Sequence, residues 1–160
     1  MQRLFIVLSA VLLLSACTKE VPESDKKMAK SIDDKNVQET IDSYYHALNS
    51  GDIEKAASLM DNNFRGILPD MSEITGINSF KDNLKLFLAK YPGCKWDVKT
   101  TEINTYGDIA YSSTTASMTV NNQTTKKIDI YTEKAVRILK KQKNDGWKFF
   151  RFITLQKPEL

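Results

Sequence analysis

The sequence is short of the residues on which most enzyme chemistry runs. Its 160 residues contain one histidine, His46, and two cysteines, Cys17 and Cys94. His46 falls about 150° from the mean direction of its helix's apolar stripe, so it is predicted to face solvent. That leaves no histidine for a serine triad, a Cys-His pair or a histidine-containing metal site. No apolar run is long enough to span a bilayer comfortably. The longest, Leu4 to Ala16, makes about 20 Å of helix against roughly 30 Å of hydrocarbon. The formal charge is only +3. The basic residues Lys126, Lys127, Lys134, Arg137, Lys140, Lys141 and Lys143 come without a nucleic-acid motif or stacking pattern, and read as a solvated strand edge and turn with no nucleic-acid partner. Repeats, low-complexity runs and a second domain are absent.

What is there begins with a leader. Arg3 precedes the apolar stretch, which ends in Leu14-Ser15-Ala16-Cys17, small residues directly before a cysteine. This run resembles the lipobox of bacterial lipoproteins, with a non-lipidated secretory signal as the alternative. The resemblance implies cleavage after residue 16 and a diacylglyceryl thioether on Cys17 with acylation of the new amino group. Several acyl chains then anchor the chain to a lipid bilayer. With Thr18 after the cysteine, it also implies the outer membrane, facing the periplasm, in a cell with two membranes. In a single-membrane cell it implies the outer face of that membrane. Once Cys17 is lipidated, Cys94 has no partner for a disulfide. It is then a small buried filler, or a reactive or intermolecular thiol.

Residues 17–35 are charged and aperiodic and read as a tether, a flexible coil of about 25 Å. The alternative is a helical piece from Lys26 to Ile32 that continues into the first helix. The domain proper is assigned to 36–157. Val37, Ile41, Tyr44, Tyr45 and Leu48 fall at i, i+4, i+7, i+8 and i+11, one apolar stripe of a helix with Asn36 as its N-cap. Gly51 closes this helix, and Asp52 caps a second carrying Ile53, Ala56, Ala57 and Met60. A short strand from Phe64 to Leu68 ends at Pro69. Phe80, Leu84, Phe87, Leu88 and Tyr91 mark a third helix that stops at Pro92-Gly93. From Cys94 the period changes to two, and turns at Tyr106-Gly107-Asp108, Asn121-Asn122-Gln123 and Asn144-Asp145-Gly146 divide the rest into four strands. Helices followed by hairpins predict an α+β fold with an antiparallel sheet.

Tyr44 to Asp52, YYHALNSGD, the Asp61-Asn62-Asn63-Phe64 run, the Thr75-Gly76 step and the Asp145-Gly146-Trp147 hairpin together resemble the nuclear-transport-factor-2-like superfamily, which includes SnoaL-like cyclases and ketosteroid isomerases. The resemblance implies a cone-shaped roll, three helices packed on a strongly curved sheet. Matched at the Gly51-Asp52 corner, the isomerase's oxyanion-donating tyrosine falls on Tyr44 and its general base on Leu68, before Pro69. The second oxyanion acid falls near Glu133 to Ala135. A leucine takes no proton. The resemblance therefore implies a binding or interaction module with no catalytic residue and no cofactor, Tyr44, Tyr45, Leu68 and Trp96 lining a site for a small apolar ligand. The alternatives are a SnoaL-like isomerase, cyclase or dehydratase using Asp61, Asp70 or Glu73, and a structural subunit of an envelope assembly. Tyr44 and Tyr45 also read as plain core with a satisfied hydroxyl, the three acids as caps and solvated charge, and the hydroxyl-rich strand Ser112 to Thr119 as a wet strand face or a pocket wall. The last strand is apolar on both sides, with Trp147, Phe149, Ile153 and Leu155 on one and Phe150 and Phe152 on the other. This predicts a covered second face, either a homodimer interface through Phe150 and Phe152 or a greasy monomer surface.

Overall fold

The computed structural model describes residues 22–68, 73–122, 124–144 and 146–155. Along the chain run α1 (Glu23–Ser50), α2 (Ile53–Ser58), β1 (Met60–Ile67), β2 (Ile74–Thr75), α3 (Gly76–Lys90), β3 (Lys95–Tyr106), β4 (Ile109–Asn121), β5 (Ile128–Lys141) and β6 (Trp147–Thr154). Among the described residues the fold is the expected α+β arrangement, three helices on one six-stranded sheet.

Helix α1 starts thirteen residues before Asn36, so the segment expected as a coil is helical from Glu23 onward, and Asn36 is an interior position rather than an N-cap. The physical reason is local and tertiary together. Residues 23–35 hold no glycine or proline, and the Lys30–Asp34 pair at 2.9 Å joins successive turns. Two consecutive aspartates then fasten the helix to the end of the sheet. Asp33 receives the Lys141 ammonium at 2.7 Å and the Trp147 indole N–H at 3.4 Å, and Asp34 receives the Thr105 hydroxyl at 2.8 Å. The predicted stripe Val37, Ile41, Tyr44, Tyr45 and Leu48 is buried throughout, while His46 is exposed.

The corner forms as the sequence requires. Gly51 adopts φ 73°, which only glycine enters without steric cost, and the Gly51 and Asp52 N–H groups bond back to Leu48 and Ala47. The Asp52 carboxylate accepts from the Lys55 N–H at 2.8 Å. Met60, placed by its spacing in the second helix, opens β1 instead and pairs with Phe149. A buried methionine satisfies either pattern.

The strand order is β2-β1-β6-β5-β4-β3. All neighbours are antiparallel except β1 and β6, which run parallel. The expected antiparallel sheet therefore holds except at one pair, where the β3–β6 meander brings the end of the chain back beside β1 in the same direction. Ladder irregularities at Thr100/Glu102, at Met60/Arg65 and at Ile138/Leu139 bend the sheet around the helices.

The last irregularity changes a side-chain assignment. Leu139 pairs with Phe149 and Ile138 with Arg151, which leaves Phe150 as the extra residue of a bulge. The bulge resets the alternation, so Phe152 returns to the inner side. It is buried, its ring stacked 5.6 Å from that of Phe149. Phe150 alone of the expected interface pair stays outside, under the Arg151 guanidinium at 3.6 Å.

Candidate functional site

The concave face of the sheet, under the C-terminal half of α1, is built from in-phase positions of three long strands. Register places Ser112 opposite Arg137, Thr114 opposite both Thr100 and Ala135, Ala116 opposite both Val98 and Glu133, and Ala135 opposite Thr154. Residues facing each other across a ladder share a face, so these side chains line one surface. It is a polar band inside an otherwise aromatic core.

At its centre is Arg137, whose side chain is wholly buried. Its guanidinium donates to the Thr114 hydroxyl, to the Tyr45 hydroxyl and, at 3.1 Å, to Glu133 Oε1. The Tyr45 hydroxyl in turn donates to the same Glu133 oxygen at 3.2 Å. The Phe152 ring lies 4.1 Å beneath the guanidinium carbon. Removing a guanidinium from water costs several kcal/mol, which the paired carboxylate, the two hydroxyls and the ring face offset. Burial pushes the Tyr45 phenol far above its usual range, against a smaller lowering by Arg137, and does the same to Tyr44. Both remain neutral donors at any physiological pH.

Several buried polar atoms on this face have no partner among the described residues: Arg137 Nε, Ser112 Oγ, Thr100 Oγ1, Thr154 Oγ1 and Trp96 Nε1. Such atoms are rare in folded proteins and cost roughly 1–3 kcal/mol each. A surface groove of about 300 Å³ lies by Lys55, Ile77 and Trp147, and another of about 440 Å³ is lined by Asp97, Lys99 and Thr132 together with Ala116 and Glu133 of the band. Neither is lined by an unpartnered buried donor, so the concave band is the chemically distinctive place.

Of the residues the sequence nominated, Tyr45 and Trp96 meet here. Their rings lie 6.1 Å apart, and Asn49 of α1 holds the Trp96 backbone by bonds of 2.6 and 2.8 Å. Tyr44 is buried among the rings of Tyr45, Phe80, Phe149 and Phe152, with centroids 5.2–6.4 Å away. Leu68 is half-buried at the edge of the core. Asp61 is engaged structurally, accepting from Asn63 N–H at 2.8 Å and Gln142 at 2.9 Å, and Glu73 makes a surface ion pair with Arg65 at 3.4 Å. Cys94 is buried, and burial pushes its thiol up, as suits a filler. Cys17 and Asp70 lie outside the described residues. Strand β4 is a buried wall through Ser112 and Thr114 and a half-exposed face through Ser113, Thr115, Ser117 and Thr119.

Arg137 is a correction, since its neighbours in sequence marked it as part of a solvated basic edge. The signal that separates it is phase. Tyr131, Ala135 and Leu139 are the buried apolar positions of β5, and Glu133 and Arg137 fall in step with them, whereas Ile128, Ile130, Val136 and Ile138 make the opposite face apolar too. Lys134 and Lys140, out of step, are exposed.

No curated protein matches the sequence. Among solved structures, a nuclear-transport-factor-2-like protein from Streptomyces avermitilis, described as a candidate dehydratase, superposes with TM-score 0.71 at 17% identity, over 82% of this chain and 99% of its own. A nuclear-transport-factor-2-like protein with a cystatin-like fold from Novosphingobium aromaticivorans gives 0.72 at 13% identity, over 86% and 90%. A ketosteroid isomerase-like protein from Erwinia carotovora gives 0.66 at 16%, over 76% and 94%. At these identities the likeness shows the fold. The SnoaL-like domain model matches residues 37–151, and with the helices, sheet order and concave band in place this chain belongs to the SnoaL-like domain family.

Proposed function

We propose that the protein is a non-catalytic binding module for a small, largely apolar ligand, held at a membrane by acyl chains on Cys17. The observation that carries the binding reading is the band of buried, unpartnered polar atoms around Arg137 on the concave face. A site that only packed would bury apolar groups there at lower cost. The non-catalytic reading rests on the candidate proton carriers. Leu68 stands where the isomerase base is expected, His46 is exposed, and the Glu133 carboxylate is already shared by Arg137 and Tyr45. The membrane reading rests on the apolar run that ends at Cys17.

Native mass spectrometry of the purified chain tests the binding reading. The expected spectrum contains a population heavier than the chain by one small molecule, lost on Arg137→Met with Glu133→Gln. An unliganded spectrum that no added apolar compound shifts overturns it. For the anchor, Cys17→Ser is expected to leave an unprocessed precursor without lipid, and normal processing with membrane retention refutes the assignment. A second reading, a SnoaL-like enzyme, is favoured by the Tyr45–Glu133 hydrogen bond, an ionisable pair at the site. Turnover of an added ketosteroid or hydroxylated carbonyl compound by the wild type, lost on Glu133→Gln, establishes it.

A further inference from the structure

The groove beside α2 joins an apolar floor to a basic rim. Strand β1 first meets β6 at Met60 and Phe149, so Trp147 and Lys148 have no β1 partner, and the end of α2 and the first turn of α3 stand beside them around an open space of about 300 Å³. That volume is at the lower end of the range of small-molecule sites. The floor is apolar. Ala57, Met60 and Trp147 are buried, and Leu59 and Ile77 pack half-buried against the same core. The groove shares no residue with the unpartnered polar atoms around Arg137.

Charge decides what fits over that floor. The ionic side chains that line the groove are Lys55 of α2 and Lys148 of β6, and no acidic side chain lines it. Glu54, beside Lys55 in sequence, is held by Lys81 at 2.6 Å, and Lys55 has no ion pair among the described residues. A lysine lays its methylene stem along apolar surface and keeps its ammonium in water, and that compact charge pairs with a carboxylate or a phosphate oxygen alike. A neutral molecule of the same apolar shape covers the floor and leaves the positive rim unmatched. A cationic one is repelled by it.

We propose that this groove binds a single-chain amphiphile with an anionic head, its apolar body on Leu59, Met60, Ile77 and Trp147 and its carboxylate or phosphate between Lys55 and Lys148. The site is separate from the concave band, and its assignment does not depend on the reading given to that band.

The test titrates octanoate, octyl phosphate, octanol and octylammonium into the ¹⁵N-labelled full chain. The Trp147 indole and Ile77 amide signals report the groove, and the Trp96 indole signal reports the concave band. Octanoate and octyl phosphate are expected to move the groove signals and to bind about fivefold more tightly than octanol, the effect of about one exposed ion pair. The tighter of the two anions names the head, and octylammonium is expected to bind least. The preference for the anions is expected to shrink as salt is raised. It is expected to vanish in Lys55→Glu with the melting temperature unchanged, because Lys55 is exposed and has no ion pair to lose. Equal binding of octanol, tighter binding of octylammonium, or a preference that survives Lys55→Glu overturns the anionic head and with it the proposal. Shifts confined to the Trp96 indole overturn the groove site and support the concave-band reading instead. If no probe moves the groove signals, the proposal falls.

Discussion

Arg137 and Glu133 stabilise the fold only as a pair, because each is the other's compensation for leaving water. Arg137→Met strips the cation and leaves the carboxylate half-buried with only the Tyr45 hydroxyl, an expected loss of about 3–5 kcal/mol. The double substitution Arg137→Met with Glu133→Gln removes both charges and is expected to recover most of that loss. Urea denaturation of the three proteins checks it, and an additive double mutant refutes the coupling. The two tyrosines make a separate prediction. Their folded-state phenols are held above the ordinary value of 10.0 by burial. Above pH 10 the unfolded chain loses protons that the native chain keeps, so stability is fully present below that pH and falls as pH rises. The expected slope approaches about 1.4 kcal/mol per pH unit for each tyrosine. Tyr44→Phe is expected to halve the slope contributed by the pair, measured by denaturation between pH 9 and 11.

Strand β6 shows how one inserted residue decides which side chains meet the core. Strict alternation from Trp147 puts Phe150 and Phe152 together, whereas the bulge at Phe150 places Phe152 beside Phe149, Tyr44 and Phe64. Phe152→Glu is therefore expected to unfold the domain or to cost at least about 3–5 kcal/mol, through a lost ring and a buried carboxylate. Retention of native far-ultraviolet dichroism and melting temperature in that variant refutes the placement. Helix α1 illustrates the opposite case, in which tertiary contacts lengthen an element. Its first turns carry exposed Met28 and Ile32 and little core, and its hold on the sheet begins at Asp33 and Asp34.

The outer face of the whole molecule carries Phe150, Val136, Ile138 and Ile153 together, all half-buried. We propose this patch as the centre of the homodimer that the two-sided apolar strand suggested. Phe150→Glu is then expected to halve the mass seen by light scattering while the fold persists. Wild-type protein that is already a monomer at high concentration ends the idea. Phe150 is the residue to change for this purpose, since a charge at Phe152 would disrupt the interior instead.

The amino-acid sequence by itself determined the elements. The i, i+4, i+7 stripes, the Gly51-Asp52 corner, the Thr75-Gly76 step and the paired turn residues are local signals, and local backbone energetics suffices to read them. It also determined that Tyr45 sits on the inner side of its helix. The fate of residues 23–35 was settled by tertiary structure, because the aspartates that dock them find partners more than seventy residues away. So was the parallel pairing of β1 with β6, which needs two distant strands to meet. The site depended on it most. Arg137 reads as one more lysine-like charge on a basic strand until the β4–β5 ladder brings Thr114 and helix α1 brings Tyr45 to join Glu133 around it, and only that enclosure makes a buried guanidinium affordable and leaves its remaining N–H without a partner.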